Sequence, residues 1–190
     1  MHELEDVQLL TQFKRGRDAA FDELVRRYGA AVKGYALRML HSPEQAEEVY
    51  AETFLRVATA RGAWEERGTV RSWIFTLAHR LCLDLLRRRA TERRHQVGVV
   101  ELSTTWCASP SPEAQALLGE QAARLEAALA SLAPEHRQVV LLRLLHGLSA
   151  AECAAALGMR EDQVHSQVSY ARRRLRELLD APVARQKEAR

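Results

Sequence analysis

The stretch LSAAECAAALGMREDQVHSQVSYARRRLRELL, residues 148–179, decides the fold of the C-terminal part of the chain. Ser149 and Glu152 stand three residues apart, which is the spacing of a capping box at the start of a helix. Gly158 suits the left-handed backbone that closes a helix. Beyond it, apolar residues recur from Val164 onward near the helical period, so a second and longer helix follows. This order of elements predicts a helix-turn-helix.

The polar side of the predicted second helix is a candidate DNA-binding surface. In a helix-turn-helix the second helix enters the major groove, where amide and hydroxyl side chains read base edges and arginines bind phosphates. The side chains expected to face such a partner are Gln163, His165, Ser166, Gln167, Tyr170, Arg172, Arg173 and Arg174. The alternative interpretation is an ordinary helical hairpin whose charged face is only solvated.

Composition limits the size and class of the protein. Its 190 residues, 47% of them hydrophobic, suffice for one sizeable domain or two small ones. The formal net charge of +3 is too small to separate a nucleic-acid-binding protein from a neutral enzyme. The distribution of charge is more informative, because residues 44–52 carry only acidic charges and residues 71–94 carry mainly arginine. An acidic helix therefore accompanies a basic one.

Helical periodicity dominates the rest of the chain, and we expect an all-α protein. Apolar residues from Phe21 to Met39 form one amphipathic helix that ends before Ser42-Pro43. Ser42 is expected to cap the next helix, with Gln45 completing a capping box. That second helix is expected to end near Arg61-Gly62 and to bury Ala46, Val49, Thr53 or Phe54, and Val57.

A third helix is expected from Val70 to about Arg89, after a loop over residues 62–69. Its apolar stripe is broad and needs two neighbouring helices to cover it. One line of the stripe is Trp73, Leu77, Leu81 and Leu85, with Ile74, Ala78 and Cys82 beside it. Because Trp73 shares this spacing, we expect it to belong to the core.

The chain divides into two small helical domains joined by a flexible linker. Residues 1–95 form the first bundle and residues 114–180 the second domain, followed by a tail over residues 181–190. Residues 96–113 form the linker, because this segment is rich in turn residues and lacks sustained periodicity. Before the helix-turn-helix, the second domain is expected to hold a helix through Leu117, Leu125 and Leu129 and another from Pro134 to His146.

We expect a protein that is neither secreted nor inserted in a membrane, because the sequence features of both classes are missing. The N-terminal residues lack the basic start and continuous apolar core of a signal peptide. No apolar run approaches the roughly 18 residues of a membrane span. Cys82, Cys107 and Cys153 have no paired spacing, and the outer two lie among apolar helical neighbours. We therefore expect reduced thiols and a cytoplasmic protein.

Enzyme motifs are missing as well. The chain has no glycine-rich phosphate loop, nucleophile elbow or HExxH pattern. His79 and Cys82 share a helix face and could be two metal ligands, but such a lone pair more often reflects packing. Glu47 and Glu48 fit a solvated or partner-facing surface better than an acid–base pair. We expect no catalysis, no metal site, no cofactor and no small-molecule substrate.

An ordered set of five segments resembles the extracytoplasmic-function sigma factors. They are FDEL (21–24), AEEVYAETFL (46–55), RSWIF (71–75), LDLLRR (83–88) and the helix-turn-helix (148–179). The resemblance covers residues 19–95, the family's region 2, and 117–179, its region 4, in which the helix-turn-helix is winged-helix-like. No single motif is decisive, but the ordered set is specific.

The resemblance implies a bacterial transcription initiation factor. Such a factor binds core RNA polymerase, directs it to particular promoter DNA and helps to open the duplex, without making phosphodiester bonds. It is commonly held inactive by an anti-sigma factor, which is often membrane-bound. The protein would then be cytoplasmic and nucleoid-associated, or held at the membrane by its anti-sigma factor, with no membrane insertion of its own.

The resemblance also assigns surfaces. The second helix of region 2 would dock on core polymerase through Glu47, Glu48, Glu52, Thr53 and Phe54, with Phe54 and Leu55 at the core side or the rim. The third helix would bind the minus-ten element through Arg71, His79, Arg80, Arg87 and Arg88. The recognition helix would bind the minus-thirty-five element through the eight side chains named above for the helix-turn-helix.

The chain departs from the family pattern at three places. Ala51 stands where many members have glutamine, and His79-Arg80 stands where many have Arg-Asn. The recognition helix lacks the usual serine at its start and has fewer cations. Two alternatives therefore stay open: a sigma-like adaptor that binds polymerase or an anti-sigma partner without selecting promoters, and a free-standing helix-turn-helix regulator. The acidic helix argues against the regulator, because operator binding has no evident need for it.

Overall fold

Helices account for the secondary structure of residues 5–59, 68–96 and 119–180, which the computed structural model describes. They are α1 (Asp6–Lys14), α2 (Asp18–Leu40), α3 (Pro43–Thr59), α4 (Val70–Gln96), α5 (Glu120–Ala130), α6 (Pro134–Val140), α7 (Ala150–Leu157) and α8 (Glu161–Asp180), with one π-helical turn (Leu141–Leu145). These residues contain no strand, and the prediction of an all-α protein is confirmed for them. Most of the predicted linker, the tail, the loop residues 62–67, Leu117 and Cys107 lie outside the described residues.

Helices α1 to α4 form the N-terminal half of the described structure. The long helix α2 follows its predicted periodicity and buries Leu24, Val32, Tyr35 and Met39. The sequence pattern does not predict α1, because nine residues give a weak periodic signal. This helix nevertheless contributes three buried side chains, and Phe13 stacks on Phe21 of α2 with ring centroids 4.9 Å apart.

The turn between α2 and α3 is tight. His41 ends α2 in the left-handed region, with φ 51°, and no other non-glycine residue of the described chain has a positive φ. Ser42 Oγ accepts a hydrogen bond from the Gln45 N–H at 3.3 Å, as predicted for a cap. The capping box is incomplete, however, because the buried Gln45 Oε1 has no hydrogen-bond partner among the described atoms.

Helices α3 and α4 complete the N-terminal half. α3 buries the predicted residues and includes both Thr53 and Phe54 among them. α4 starts at Val70 as predicted but continues to Gln96. Its fully buried line is Val70, Ile74, Ala78 and Cys82, whereas Trp73, Leu77, Leu81 and Leu85 are only partly buried against the core. Periodicity predicts the apolar stripe, but it does not predict which of its two lines is more deeply buried.

One π-helical turn follows α6 in the C-terminal half, which comprises α5 to α8. The His146 N–H donates to the Leu141 carbonyl at 2.9 Å, five residues back, where an α-helix would bond four residues back. Leu144 is consequently 39% exposed, although a continuous helix would place it with the apolar residues, and His146 is buried. Leu125 is also more exposed, at 42%, than its predicted place on the apolar face of α5 suggests.

The predicted helix-turn-helix is confirmed in α7 and α8. The Glu152 N–H donates to Ser149 Oγ at 3.1 Å, and the Ser149 N–H donates to the Glu152 carboxylate at 2.8 Å, which completes the capping box. Gly158 closes α7 with φ 65°, a conformation that glycine adopts without strain. α8 packs through Val164, with Ala171 and Leu175 following at helical spacing.

The two halves pack against each other. α4 contacts α7, and α2 contacts both α5 and α6. Arg38 of α2 donates from Nε to both carboxylate oxygens of Glu126 in α5 at 3.0 Å. The His146 ring lies against Phe75, with centroids 4.5 Å apart, and against Tyr35 at 5.9 Å. The two halves are therefore in direct contact, although the sequence predicts a flexible linker between them.

Arg137 of α6 makes five hydrogen bonds, two of which cross between the halves. It is only 6% exposed. On its own side it donates to the last carbonyls of α5 and its following turn, those of Leu129, Ala130 and Leu132, at 2.6 to 3.0 Å. Across the interface its Nη1 donates to the Arg38 carbonyl at 3.3 Å and to His41 Nε2 at 2.6 Å. One guanidinium thus satisfies the ends of two helices.

Candidate nucleic-acid interface

The acidic face of α3 is exposed, as predicted. Glu47 and Glu48 are both exposed, and Glu47 forms an ion pair with Lys33 of α2. Glu52 accepts a hydrogen bond from Arg56 Nε at 2.8 Å, one turn further along the helix. Leu55, at 57% exposure, lies on the surface of the same helix. This combination of carboxylates with one exposed apolar side chain is a surface suited to a protein partner.

Two residues predicted to bind polymerase do not belong to this face. Thr53 is fully buried and Phe54 is 5% exposed. The Phe54 ring lies 5.3 Å from that of Tyr50 and 6.3 Å from that of Phe21, so it fixes α3 against α2. The prediction of direct contact is wrong for both residues, because a side chain in the core cannot reach a partner. Helical periodicity identifies them as core candidates in the sequence.

The basic face of α4 is only partly available. Arg80, Arg87 and Arg88 are exposed, and Arg87 lies 3.3 Å from the Asp84 carboxylate. Arg71 is partly buried and lies against Gly147 of the C-terminal half. A β-carbon at position 147 would be 3.4 Å from Arg71 Nη2. Three of the predicted arginines can therefore meet a phosphate backbone directly, and Arg71 is held against the turn before α7.

His79 is predicted to belong to the minus-ten surface, but the structure places it in the core. It is 2% exposed, and its Nδ1 is hydrogen-bonded to the Tyr35 hydroxyl at 2.8 Å. Burial, with a contribution from Arg80 and Arg87, lowers the pKa of His79 to about 4. The ring is therefore neutral at physiological pH and cannot contact DNA. Its position between Phe75 and Cys82 on the buried side of α4 was the signal for a core histidine.

A cleft of about 200 Å³ separates α3 from α4. Val49 and Leu85 contribute to its lining, and Glu48 and Glu52 approach it from α3. Asp84 and Arg88 approach it from α4. The cleft thus lies where the acidic face of one helix meets the basic face of the next.

The recognition helix α8 exposes most of its predicted DNA-binding side chains. Val164 and Ala171 face the core, and Val168 packs partly against it. The opposite side carries no buried residue, and the exposed predicted side chains are Gln163, His165, Ser166, Tyr170, Arg172, Arg173 and Arg174. The arrangement has the polar and cationic surface that major-groove binding requires.

Some of these side chains also have structural contacts. Gln163 Oε1 accepts from the Arg160 N–H at 2.9 Å, which compensates for the missing serine cap at the start of α8. Ser166 Oγ donates to the Asp162 carbonyl at 2.9 Å. The acidic residues of the first turn add a favourable interaction with the helix dipole. Gln163, a predicted DNA-binding residue, therefore also caps the start of α8.

Gln167 and Tyr170 are less available than predicted. Gln167 is partly buried, and its Oε1 has no hydrogen-bond partner among the described atoms. The Tyr170 ring is 44% exposed but lies 4.4 Å from the ring of His136 in α6. The Arg173 guanidinium approaches the Tyr170 ring to 5.6 Å. Tyr170 therefore positions Arg173 and joins α6 to α8, in addition to any contact with DNA.

The described ranges contain neither a metal-ligand cluster nor a membrane-spanning helix. No group of three His, Cys, Asp or Glu side chains there is arranged to hold a metal ion. Cys82 and Cys153 are buried free thiols, as predicted, and burial raises the pKa of Cys82 to about 12 and that of Cys153 to about 11. None of the described helices combines the length and the apolar character needed to cross a bilayer.

Comparison with known proteins decides the family. The families Sigma-70 region 2 and Sigma-70, region 4 match residues 24–92 and 122–175. The ECF RNA polymerase sigma factor SigL of Mycobacterium tuberculosis is 34% identical over 83% of this chain and 85% of its own length. The chain belongs to the extracytoplasmic-function sigma factors. The family resemblance inferred from the ordered motifs is therefore confirmed.

Further relatives agree with this assignment. SigE of Mycolicibacterium smegmatis is 33% identical over 84% of this sigma factor, which spans 62% of the length of that relative. Among solved structures, CnrH in complex with the cytosolic domain of CnrY has a TM-score of 0.67 and 26% identity, over 92% of this chain and 97% of that one. RpoE of Bartonella quintana, in complex with the anti-sigma factor NepR, matches with the same TM-score at 23% identity, over 84% and 96% of the two chains. Both structures share the fold.

The family assignment gives the activity in general terms. This sigma factor is an alternative subunit of RNA polymerase that serves promoter-specific transcription initiation, and its family acts in initiation without being enzymes. The matched segments correspond to α2–α4 for region 2 and to α5–α8 for region 4.

The buried hydrogen bond between Tyr35 and His79 provides a test of whether His79 is a core residue. Tyr35→Phe keeps the ring but leaves the buried His79 Nδ1 without its partner. We expect the free energy of unfolding at pH 7.5 to fall by about 1–3 kcal/mol. Urea denaturation of the whole chain measures this change. Tyr170→Phe, at an exposed ring, is the control and should change the free energy by less than about 0.5 kcal/mol. Equal small effects of the two substitutions would show that the buried bond contributes nothing.

Proposed function

We propose that this sigma factor binds core polymerase through the acidic face of α3 and promoter DNA through α4 and α8. The observation that carries the proposal is the separation of exposed charge: carboxylates line α3, while arginines line the exposed sides of α4 and α8. A protein that only binds operators would have no use for the acidic face. Complementary charge on each partner would steer both associations and set their orientation.

The polymerase surface comprises Glu47, Glu48 and Glu52 together with Leu55. The exposure of Glu47 and Glu48 and the partial exposure of Glu52 support this assignment, and the exposed Leu55 adds an apolar contact on the same helix. Beneath that surface Phe54 holds α3 against α2 through its contact with Phe21, and Thr53 is buried next to it. The cleft beside Glu48 would admit one side chain of the partner.

The minus-ten surface comprises the exposed arginines of α4, namely Arg80, Arg87 and Arg88, with Arg71 joining them when the halves separate. The minus-thirty-five surface comprises the exposed side of α8. His165 and Ser166 are the candidates for base edges, and Arg172 and Arg174 are the candidates for phosphates. Residues 1–95 and 114–180 would thus form the two arms of a promoter clamp.

We also propose an anti-sigma factor as a regulatory partner. CnrH, which shares the fold over nearly its whole length, was solved in complex with the cytosolic domain of CnrY. A comparable partner would cover polymerase-binding and DNA-binding surfaces of this chain, and its attachment to a membrane would hold the complex there.

Transcript mapping tests the proposed function. Core polymerase is reconstituted with the whole chain on a pool of genomic fragments, and the transcript starts are compared with those of core polymerase alone. We expect discrete starts that share two upstream sequence elements. Binding to core polymerase without any new starts would favour the adaptor, and sequence-specific DNA binding that is independent of polymerase would favour the regulator.

The acidic face of α3 has a separate test. Glu48→Lys reverses an exposed charge and is expected to weaken binding to core polymerase about tenfold or more, because it places a cation where a basic partner docks. Asp22→Lys makes the same charge change at an exposed position of α2 and serves as the control. Fluorescence titration of core polymerase measures both affinities. If the two variants bind equally well, the docking surface lies elsewhere.

A further inference from the structure

Two histidines lie at the junction of the halves, and the first of them must be neutral for its contact to form. His41 Nε2 is 2.6 Å from Arg137 Nη1. A guanidinium can only donate hydrogen bonds, so His41 Nε2 has to be the unprotonated acceptor. Protonation would convert this acceptor into a donor and would oppose two cations across the interface between α2 and α6.

The second histidine is His146, which comes from the π-helical turn of the C-terminal half. It is 7% exposed and packs against the rings of both Tyr35 and Phe75 of the N-terminal half. Its Nε2 is buried and has no hydrogen-bond partner among the described atoms. A proton on this nitrogen would bury a charged N–H group with nothing to accept its hydrogen bond.

The charged groups around the two rings favour the neutral forms. His41 faces Arg137 and Arg89, and the nearby carboxylate of Glu126, which favours the charged ring, is already engaged by Arg38. His146 faces the guanidinium groups of Arg38 and Arg71. Its aromatic neighbour Tyr35 stays neutral, because burial raises the pKa of that phenol well above 10. The arginines therefore predominate around both histidines.

The direction of the pH effect follows from these surroundings. Burial, followed by the neighbouring arginines, lowers the pKa of His41 and of His146 from 6.5 to about 4 in the closed chain. In a separated chain both rings would regain ordinary values. The open form would then bind more protons than the closed form, so the closed form is fully stable above pH 6.5 and loses stability as pH falls toward 4.

We propose that His41 and His146 form a proton-operated latch between the two halves of this sigma factor. When both rings are neutral, the latch holds α6 and the π-helical turn against α2 and α4. Protonation of the two rings removes His41 as an acceptor of Arg137 and expels His146 from its contact with Tyr35 and Phe75, and the halves separate.

Opening of the latch would uncover the start of α4. In the closed chain the Thr69 hydroxyl donates to the Glu152 carboxylate of α7, and Arg71 lies against Gly147. Both contacts belong to the same interface. Release of Arg71 for the minus-ten element rests on the proposed function, whereas separation of the halves does not. Acidification is therefore expected to expand the chain whether or not Arg71 binds DNA.

Small-angle X-ray scattering of the whole chain at pH 7.5 and pH 5, with helix content followed by circular dichroism, tests the latch. We expect the radius of gyration to increase at the lower pH while the helix content is kept, and the ratio of open to closed chains to rise at least about tenfold. The double variant His41→Gln with His146→Phe has no titrating ring at either position and should stay compact. His165→Gln, at an exposed histidine of α8, should expand as the unsubstituted chain does.

A variant at neutral pH removes any ambiguity from acid unfolding. His41→Lys places a permanent cation opposite Arg137 and should expand the chain at pH 7.5, whereas His41→Gln offers a neutral acceptor and should not. The latch is overturned if the unsubstituted chain keeps its radius at pH 5 with its helices intact, or if the double variant expands equally. Should acid melt the helices, equal radii for His41→Lys and His41→Gln at pH 7.5 overturn it.

Discussion

The buried guanidinium of Arg137 is the constraint on which the arrangement of the described helices depends. It has no carboxylate partner in the part of the chain that the structure describes, and burial lowers its pKa. Five hydrogen bonds, to three carbonyls at and just after the end of α5 and to two acceptors at the end of α2, compensate for removing this cation from water. The same side chain therefore stabilises the turn between α5 and α6 and also holds the C-terminal half against α2. With α6 in place, the π-helical turn directs His146 into the interface, and α7 covers the start of α4.

Much of this fold can be predicted from the sequence, because its signals are local. The capping box of Ser149 and Glu152 and the left-handed Gly158 mark the helix-turn-helix with interactions between residues only a few positions apart. The contacts between the halves are not predictable in this way. Arg137 bonds to Arg38, 99 positions away, and His146 packs on Phe75, 71 positions away. The π-helical turn that precedes His146 leaves no periodic signal of its own. Its effect is local, because it shifts His146 at its end by one position relative to a continuous α-helix.

The candidate surfaces show a different limit. Motif resemblance identifies α3, α4 and α8 as the interacting helices, but it does not state which side of each helix is exposed. Thr53 and Phe54 belong to the motifs, and the resemblance assigns His79 to the minus-ten surface, yet all three residues lie in the core. Their apolar neighbours at helical spacing indicate this burial in the sequence, so periodicity should decide between residues that a motif treats alike. Gln163 illustrates the converse, since an exposed residue assigned to DNA also caps the helix that carries it.

The central claim is that the free chain is closed, with its two halves in direct contact. A double-mutant cycle across the interface tests it most directly, using Arg38→Ala, Glu126→Ala and the double variant. The free energy of unfolding is measured by urea denaturation at pH 7.5. Because Arg38 donates to both oxygens of Glu126 in a partly buried setting, a closed chain predicts a coupling energy of about 0.5–1 kcal/mol. Strictly additive effects of the two substitutions would contradict the closed arrangement.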